Sequence, residues 1–148
     1  MTQYHIPVVR IQMVREHNIK VDAKKISSPF DAAAVFAALM AGIDRECVYL
    51  LCLNSKNVVV SANLVSMGDL TSSIVNPREI FKAAVLSNAA SIILGHNHPS
   101  GDPTPSPEDV SITKRIAECG RFMEIELFDH IVIGDGTHVS LKERGLFR

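Results

Sequence analysis

The chain has 148 residues, enough for one domain with a substantial core at roughly 100–200 residues per domain. Fifteen Lys and Arg against sixteen Asp and Glu leave a formal charge of -1, which excludes a polybasic nucleic-acid coat and an acidic tail. Apolar residues at 47% and charged residues at 21% exclude a fully disordered chain, and three Cys without a short-spaced pair exclude a disulfide scaffold and suit a reducing cytosol.

Residues 6–14 are rich in β-branched side chains, with Pro7 near their start, and read as a strand. Residues 19–21 read as a second short strand. Residues 1–28 are thus expected to form an N-terminal β extension of the same domain. They carry Arg10, Arg15, Lys20, Lys24 and Lys25 against Glu16 and Asp22. No aromatics interleave with these charges, so they read as guards of a strand edge rather than a nucleic-acid contact. Ser28 and Pro29 open a helix that Gly42 can end. Residues 32–43 form the longest run without a charge or strong polar group, too short for the roughly 20 residues of a membrane helix. The N-terminus lacks a basic segment followed by an apolar one, so no signal peptide is expected.

Residues 46–54 and 58–65 read as a hairpin, its first strand apolar enough to be covered on both faces. Asn76 and Pro77 start a second helix over 77–86. Residues 91–96 form another buried strand, and a loop rich in Pro and Gly follows over 99–105. Ser106 opens a third helix, expected to end near Gly120. Residues 123–128, 131–133 and 138–141 read as short closing strands. The whole is an α/β domain with a mixed β-sheet packed between helices.

One constellation carries chemistry. His96 and His98 sit at the C-terminal end of an apolar strand, and side chains two apart on a strand point to the same side. Gly95 allows close backbone approach. Asp109 follows after ten intervening residues, in the first turn of the third helix. Two imidazoles and a carboxylate make three metal ligands, the zinc pattern that leaves a fourth position for water. Each residue also has a plainer role. Ser106-Pro107-Glu108-Asp109 fits a capping box, and a first-turn carboxylate can serve both the cap and a metal. Ser106 is either a helix cap or a catalytic hydroxyl, and Glu46 either a strand-end charge or a spare acid. Asp129 reads as structural or ligand-supporting, and Asp102 as a turn residue.

The blocks His96-Asn97-His98-Pro99-Ser100-Gly101, Pro105-Ser106 and Asp109 resemble the JAMM signature of the JAB/MPN metallohydrolases. Asn76-Pro77-Arg78-Glu79-Ile80 and Phe128-Asp129-His130-Ile131-Val132-Ile133-Gly134 resemble the bacterial RadC-type branch of that family. The similarity spans residues 29–148. It implies an MPN domain of cytidine-deaminase-like architecture. It also implies Zn2+ at His96, His98 and Asp109, with Glu46 as the acid/base and Ser106 as an oxyanion helper. The expected activity is that of a cytoplasmic zinc metallopeptidase, cutting a peptide or isopeptide bond of a protein substrate. Members of the branch carry a DNA-binding helix-hairpin-helix module. Here about 28 residues precede the core, so any DNA binding is expected to be weak and sequence-independent. The runner-up is a DNA-associated or protein-binding module whose metal site does no proteolysis. A zinc deaminase is disfavoured, because Cys47, Cys52 and Cys119 lack the paired spacing it needs.

Overall fold

The computed structural model describes residues 1–68 and 75–148. Helix α1 (Pro29–Met40) starts where Ser28 accepts a hydrogen bond from the Asp31 amide and Pro29 fills the first turn. Strands β1 (Cys47–Leu53) and β2 (Val59–Met67) form the hairpin. Helix α2 (Pro77–Leu86) opens at Asn76, whose side chain accepts from the Arg78 amide. Strand β3 (Ser91–Asn97), helix α3 (Pro107–Met123), strand β4 (Glu126–Ile133) and strand β5 (His138–Ser140) complete the order.

The strands make one mixed sheet, β2-β1-β3-β4-β5. Only the β3–β4 pairing is parallel among the described residues, and α3 is its crossover. Alternation along the strands divides the core in two. Val48, Leu50, Ile92 and Leu94 pack with Ile80 and Phe81 of α2 and Ile116 of α3. Cys47, Leu51, Leu53 and Ile93 pack with Ala32, Val35 and Phe36 of α1. The sheet is therefore covered by α1 on one face and by α2 and α3 on the other, as expected for a sheet between helices. No helix among the described residues is long and apolar enough to cross a membrane.

Three expectations need correction. Residues 6–14 and 19–21 form no strand; Ile6 and Val8 are 86% and 98% exposed. β-branched composition favours a pleated surface only where a neighbouring edge supplies the ladder. Pairing starts at a single bridge, Lys25 to Val58, beside the hairpin turn. Helix α3 runs through Gly120 to Met123 and closes at Glu124 in the left-handed region. Gly120 is there for close approach, since a Cβ would overlap the Ile125 carbonyl. Residues 126–133 form one strand where a break was expected at Asp129-His130. A bulge at Phe128 shifts the register, pairing Ile92 with Leu127 and Ile93 with Asp129. The buried Asp129 carboxylate is satisfied by the His130 amide at 2.7 Å, the Ser140 hydroxyl at 2.6 Å and the Lys142 amide at 3.1 Å.

Gly95, in the middle of the ladder, admits the fully buried ring of Phe36 from α1. The close approach there is therefore to a helix. Gly95→Ala should lower stability by about 1–3 kcal/mol through overpacking, read as a shift in the urea midpoint. An unchanged midpoint would mean that Phe36 swings aside without cost.

Candidate metal centre

The face covered by α2 and α3 carries a polar cluster at one end of the sheet. Strands β1 and β3 are antiparallel neighbours with Val48 opposite His96. Glu46, two residues before Val48, therefore lies beside the histidine end of β3. His96 is buried in the sheet, and His98 follows it with its backbone amide donating to the Ile133 carbonyl at 2.8 Å. The loop then turns at Gly101, in the left-handed region at φ 90°, and delivers α3 back to the sheet. At the start of α3 the capping box forms as its pattern predicts. The Asp109 amide donates to Ser106 Oγ at 3.1 Å, and the Ser106 amide donates to Asp109 Oδ2 at 2.8 Å.

His96 Nε2 lies 3.0 Å from His98 Nε2 and 3.3 Å from Asp109 Oδ1, and His98 Nε2 lies 3.1 Å from Asp109 Oδ2. Glu46 Oε1 stands back, 4.0 Å from His96 Nε2. One ligand atom from each of Glu46, His96, His98 and Asp109 lies within 4.8 Å of the others, so these four residues could hold a metal ion. For a tetrahedral zinc bound at about 2.0–2.1 Å, neighbouring ligand atoms are roughly 3.3 Å apart. The two imidazoles and Asp109 are close to that spacing.

The chemistry of the donors agrees. His98 Nδ1 is 2.8 Å from the Asp102 carbonyl oxygen, which can only accept. The hydrogen therefore sits on Nδ1, and Nε2 presents a lone pair. His98 Nε2 and Asp109 Oδ2 then face each other as acceptors, an arrangement that a metal ion or an added proton resolves. Burial alone would raise the Asp109 pKa. The adjacent His96 ring and then the Ser106 bonds outweigh burial and hold the carboxylate well below its ordinary range. Cys47 is close in sequence to Glu46, but its side chain packs on the α1 side. Burial first, then the Glu46 charge, pushes its thiol up to about 11. A protonated thiol is a poor metal ligand.

Ser106 thus sits at the edge of the cluster, its oxygen accepting from the Asp109 amide in the cap. Asp102 is the turn residue expected, its Oδ1 accepting from Thr104 N at 2.9 Å and Oγ1 at 2.7 Å. Asp129 points into the α1 side of the sheet, away from the cluster, and closes the turn after β5.

Three residues of the site escape sequence reasoning. Asn97, between the two histidines, accepts from the Cys47 amide at 2.8 Å and donates to the Arg45 carbonyl at 3.0 Å. It clamps the peptide groups on both sides of Glu46. His130 Nε2 lies 2.7 Å from His96 Nδ1, and Thr113 Oγ1 lies 2.6 Å from His130 Nδ1. Burial, above all, and then the neighbouring His96 push the His130 pKa well down, so this imidazole is neutral. No spacing rule links positions 96, 113 and 130. The only signal was a polar pair, Asp129-His130, inside an otherwise apolar strand.

Residues 26–146 match the sequence model of a family described as RadC-like JAB domain. The chain is 53% identical over 125 residues to a UPF0758 protein of Clostridium acetobutylicum, an alignment covering 84% of this chain and 55% of that protein. It is 53% identical over 122 residues to a UPF0758 protein of Shouchella clausii, covering 82% and 53%. A UPF0758 protein of Staphylococcus carnosus is 53% identical over 123 residues, covering 83% and 54%. The chain spans about half the length of these curated relatives.

Proposed function

We propose that this chain, which belongs to the RadC-like JAB domain family, is a zinc-dependent hydrolase of amide bonds, acting on a peptide or isopeptide bond of a protein or peptide substrate. Its five-stranded mixed sheet and the three helices of the described residues are consistent with the MPN fold of that family. The observation that carries the reading is the convergence of His96, His98 and Asp109 at 3.0–3.3 Å, with the Glu46 carboxylate set back at 4.0 Å. The three nearer groups would hold the ion, and imidazole with carboxylate suits zinc. Zinc, when bound, supplies hydroxide at neutral pH by lowering the pKa of water toward about 7. Glu46 takes the proton of the attacking water and hands it to the nitrogen of the leaving amine. Asn97 holds Glu46 at its distance through the backbone on either side. The Ser106 hydroxyl hydrogen donates to the carbonyl oxygen as that oxygen gains charge. Three free cysteines suit the reducing cytosol, where we place the reaction.

Elemental analysis of protein made in zinc-supplemented medium tests the first half. The wild type should carry about one zinc per chain and His98→Ala almost none, because one of three protein ligands is gone. Equal zinc in both would remove His98 from the ligand set. A quenched peptide library tests the second half. Chelator-sensitive cleavage supports hydrolysis, and zinc binding without any cleavage overturns it.

A further inference from the structure

We propose that Thr113 and His130 form a hydrogen-bond relay that fixes the tautomer of His96, so that two residues outside the ligand set determine how tightly the site binds metal. The inference rests on the metal reading above, but its first step is a property of the chain alone.

The direction of each bond follows from counting hydrogens. Thr113 Oγ1 lies 2.6 Å from the Asp109 carbonyl oxygen and 2.6 Å from His130 Nδ1. The carbonyl can only accept, and a hydroxyl has one hydrogen. Thr113 therefore donates to Asp109, and its oxygen is left to accept from His130 Nδ1–H. His130 is 4% exposed, and among the described residues its two ring nitrogens meet Thr113 and His96. Among the described residues no carboxylate hydrogen-bonds either ring nitrogen, and a charge without such a partner is costly at so buried a position. His130 Nε2 then carries a lone pair. His96 Nδ1, 2.7 Å away, must be the donor. That leaves His96 Nε2 bare at the point where His98 Nε2 and Asp109 Oδ1 converge, 3.0 and 3.3 Å away.

The opposite tautomer of His96 would put a hydrogen on Nε2 and block its lone pair. His98 reaches the same bare state by its bond to the Asp102 carbonyl. The two imidazoles are thus set by separate devices, one in the loop and one in the core. The relay also starts at the backbone of Asp109, so one chain of bonds ties the helix end that carries the carboxylate to the strand that carries His96. Parallel pairing places Leu94 opposite His130 and His96 opposite Val132, which brings the His130 ring diagonally against His96.

Two readouts test the relay. Long-range proton–nitrogen correlation spectra of 15N-labelled, metal-free protein report which ring nitrogen of His96 carries its hydrogen. Competition with a chromophoric chelator reports zinc affinity. The wild type should show His96 protonated at Nδ1. His130→Phe and Thr113→Val should each lose that preference and bind zinc about 10–100-fold more weakly, the usual cost of removing an outer partner of a ligand. His130→Gln, whose amide oxygen can accept from His96 Nδ1, should restore both. A merely structural role would move the melting temperature and leave the tautomer in place. If His130→Phe fails to fold, the near-isosteric Thr113→Val carries the test. The relay is overturned if His96 keeps its hydrogen on Nδ1 and zinc affinity holds in both variants. If the wild type binds no zinc, the hydrolase reading falls while the tautomer spectra still decide the relay.

Discussion

Glu46→Gln should keep fold and zinc and lose about 10²–10⁴-fold in hydrolysis, the usual contribution of a general acid/base. Its carboxylate is the group of the cluster farthest from the convergent ligand atoms, 4.0 Å from His96 Nε2 against 3.0–3.3 Å among the others. It is partly solvent-reachable, at 18% exposure. Its placement does not depend on its own charge, because Asn97 holds the flanking backbone. Gln matches Glu in volume and stays polar, so stability should change by less than about 1 kcal/mol. The measurements are zinc per chain and the turnover number on one cleaved peptide. Loss of zinc would make Glu46 a fourth ligand. Unchanged turnover would leave it a strand-end charge and move the proton shuttle elsewhere. Asp102, the nearest acid in the loop, is already committed to Thr104.

Asp109→Asn should weaken zinc binding by more than a hundredfold while α3 stays capped. Structural zinc sites are worth about 10–16 kcal/mol over four ligands, so one ligand contributes roughly 3 kcal/mol. The amide oxygen of Asn can still accept from the Ser106 amide, which Asp109 Oδ2 now does at 2.8 Å. Asp109→Ala removes both roles and should cost the metal-free protein about a further 1 kcal/mol for the lost half of the capping box. Comparing the two variants by chelator competition and by thermal unfolding without metal separates ligand from cap. Equal zinc affinity in Asp109→Asn and wild type would exclude the carboxylate from the site.

Much of this arrangement was legible before the fold was known, and the limits have physical causes. Helix α2 begins and ends where Asn76, Pro77 and its apolar spacing say, because caps act within one turn. His96, His98 and Asp109 come together because strand parity and a stiff loop are local rules. Glu46 joins them through a single antiparallel neighbour, β1 against β3. Asn97, Thr113 and His130 were invisible for the opposite reason. Their contacts depend on which strands are adjacent and in what register, and they join positions up to 52 residues apart. The misread segments share that cause. Residues 6–14 have strand composition but no ladder of their own. Gly120 looks like a helix end until the close approach of Ile125 is seen. Asp129-His130 looks like a gap between two strands until the three partners of the Asp129 carboxylate are counted.

The Asn97 clamp has a consequence for moving this chemistry to another scaffold. The residue between the histidines is a tether whose two bonds cross to the neighbouring strand. A graft that copied only the four charged or imidazole side chains would leave the carboxylate on an unanchored segment, free to drift from its partners as the sheet end breathes. The smallest portable unit is a strand pair with Asn97 opposite the peptide groups around Glu46. In it, ligand strand and proton carrier travel as one body, and thermal motion of the sheet end shifts both together.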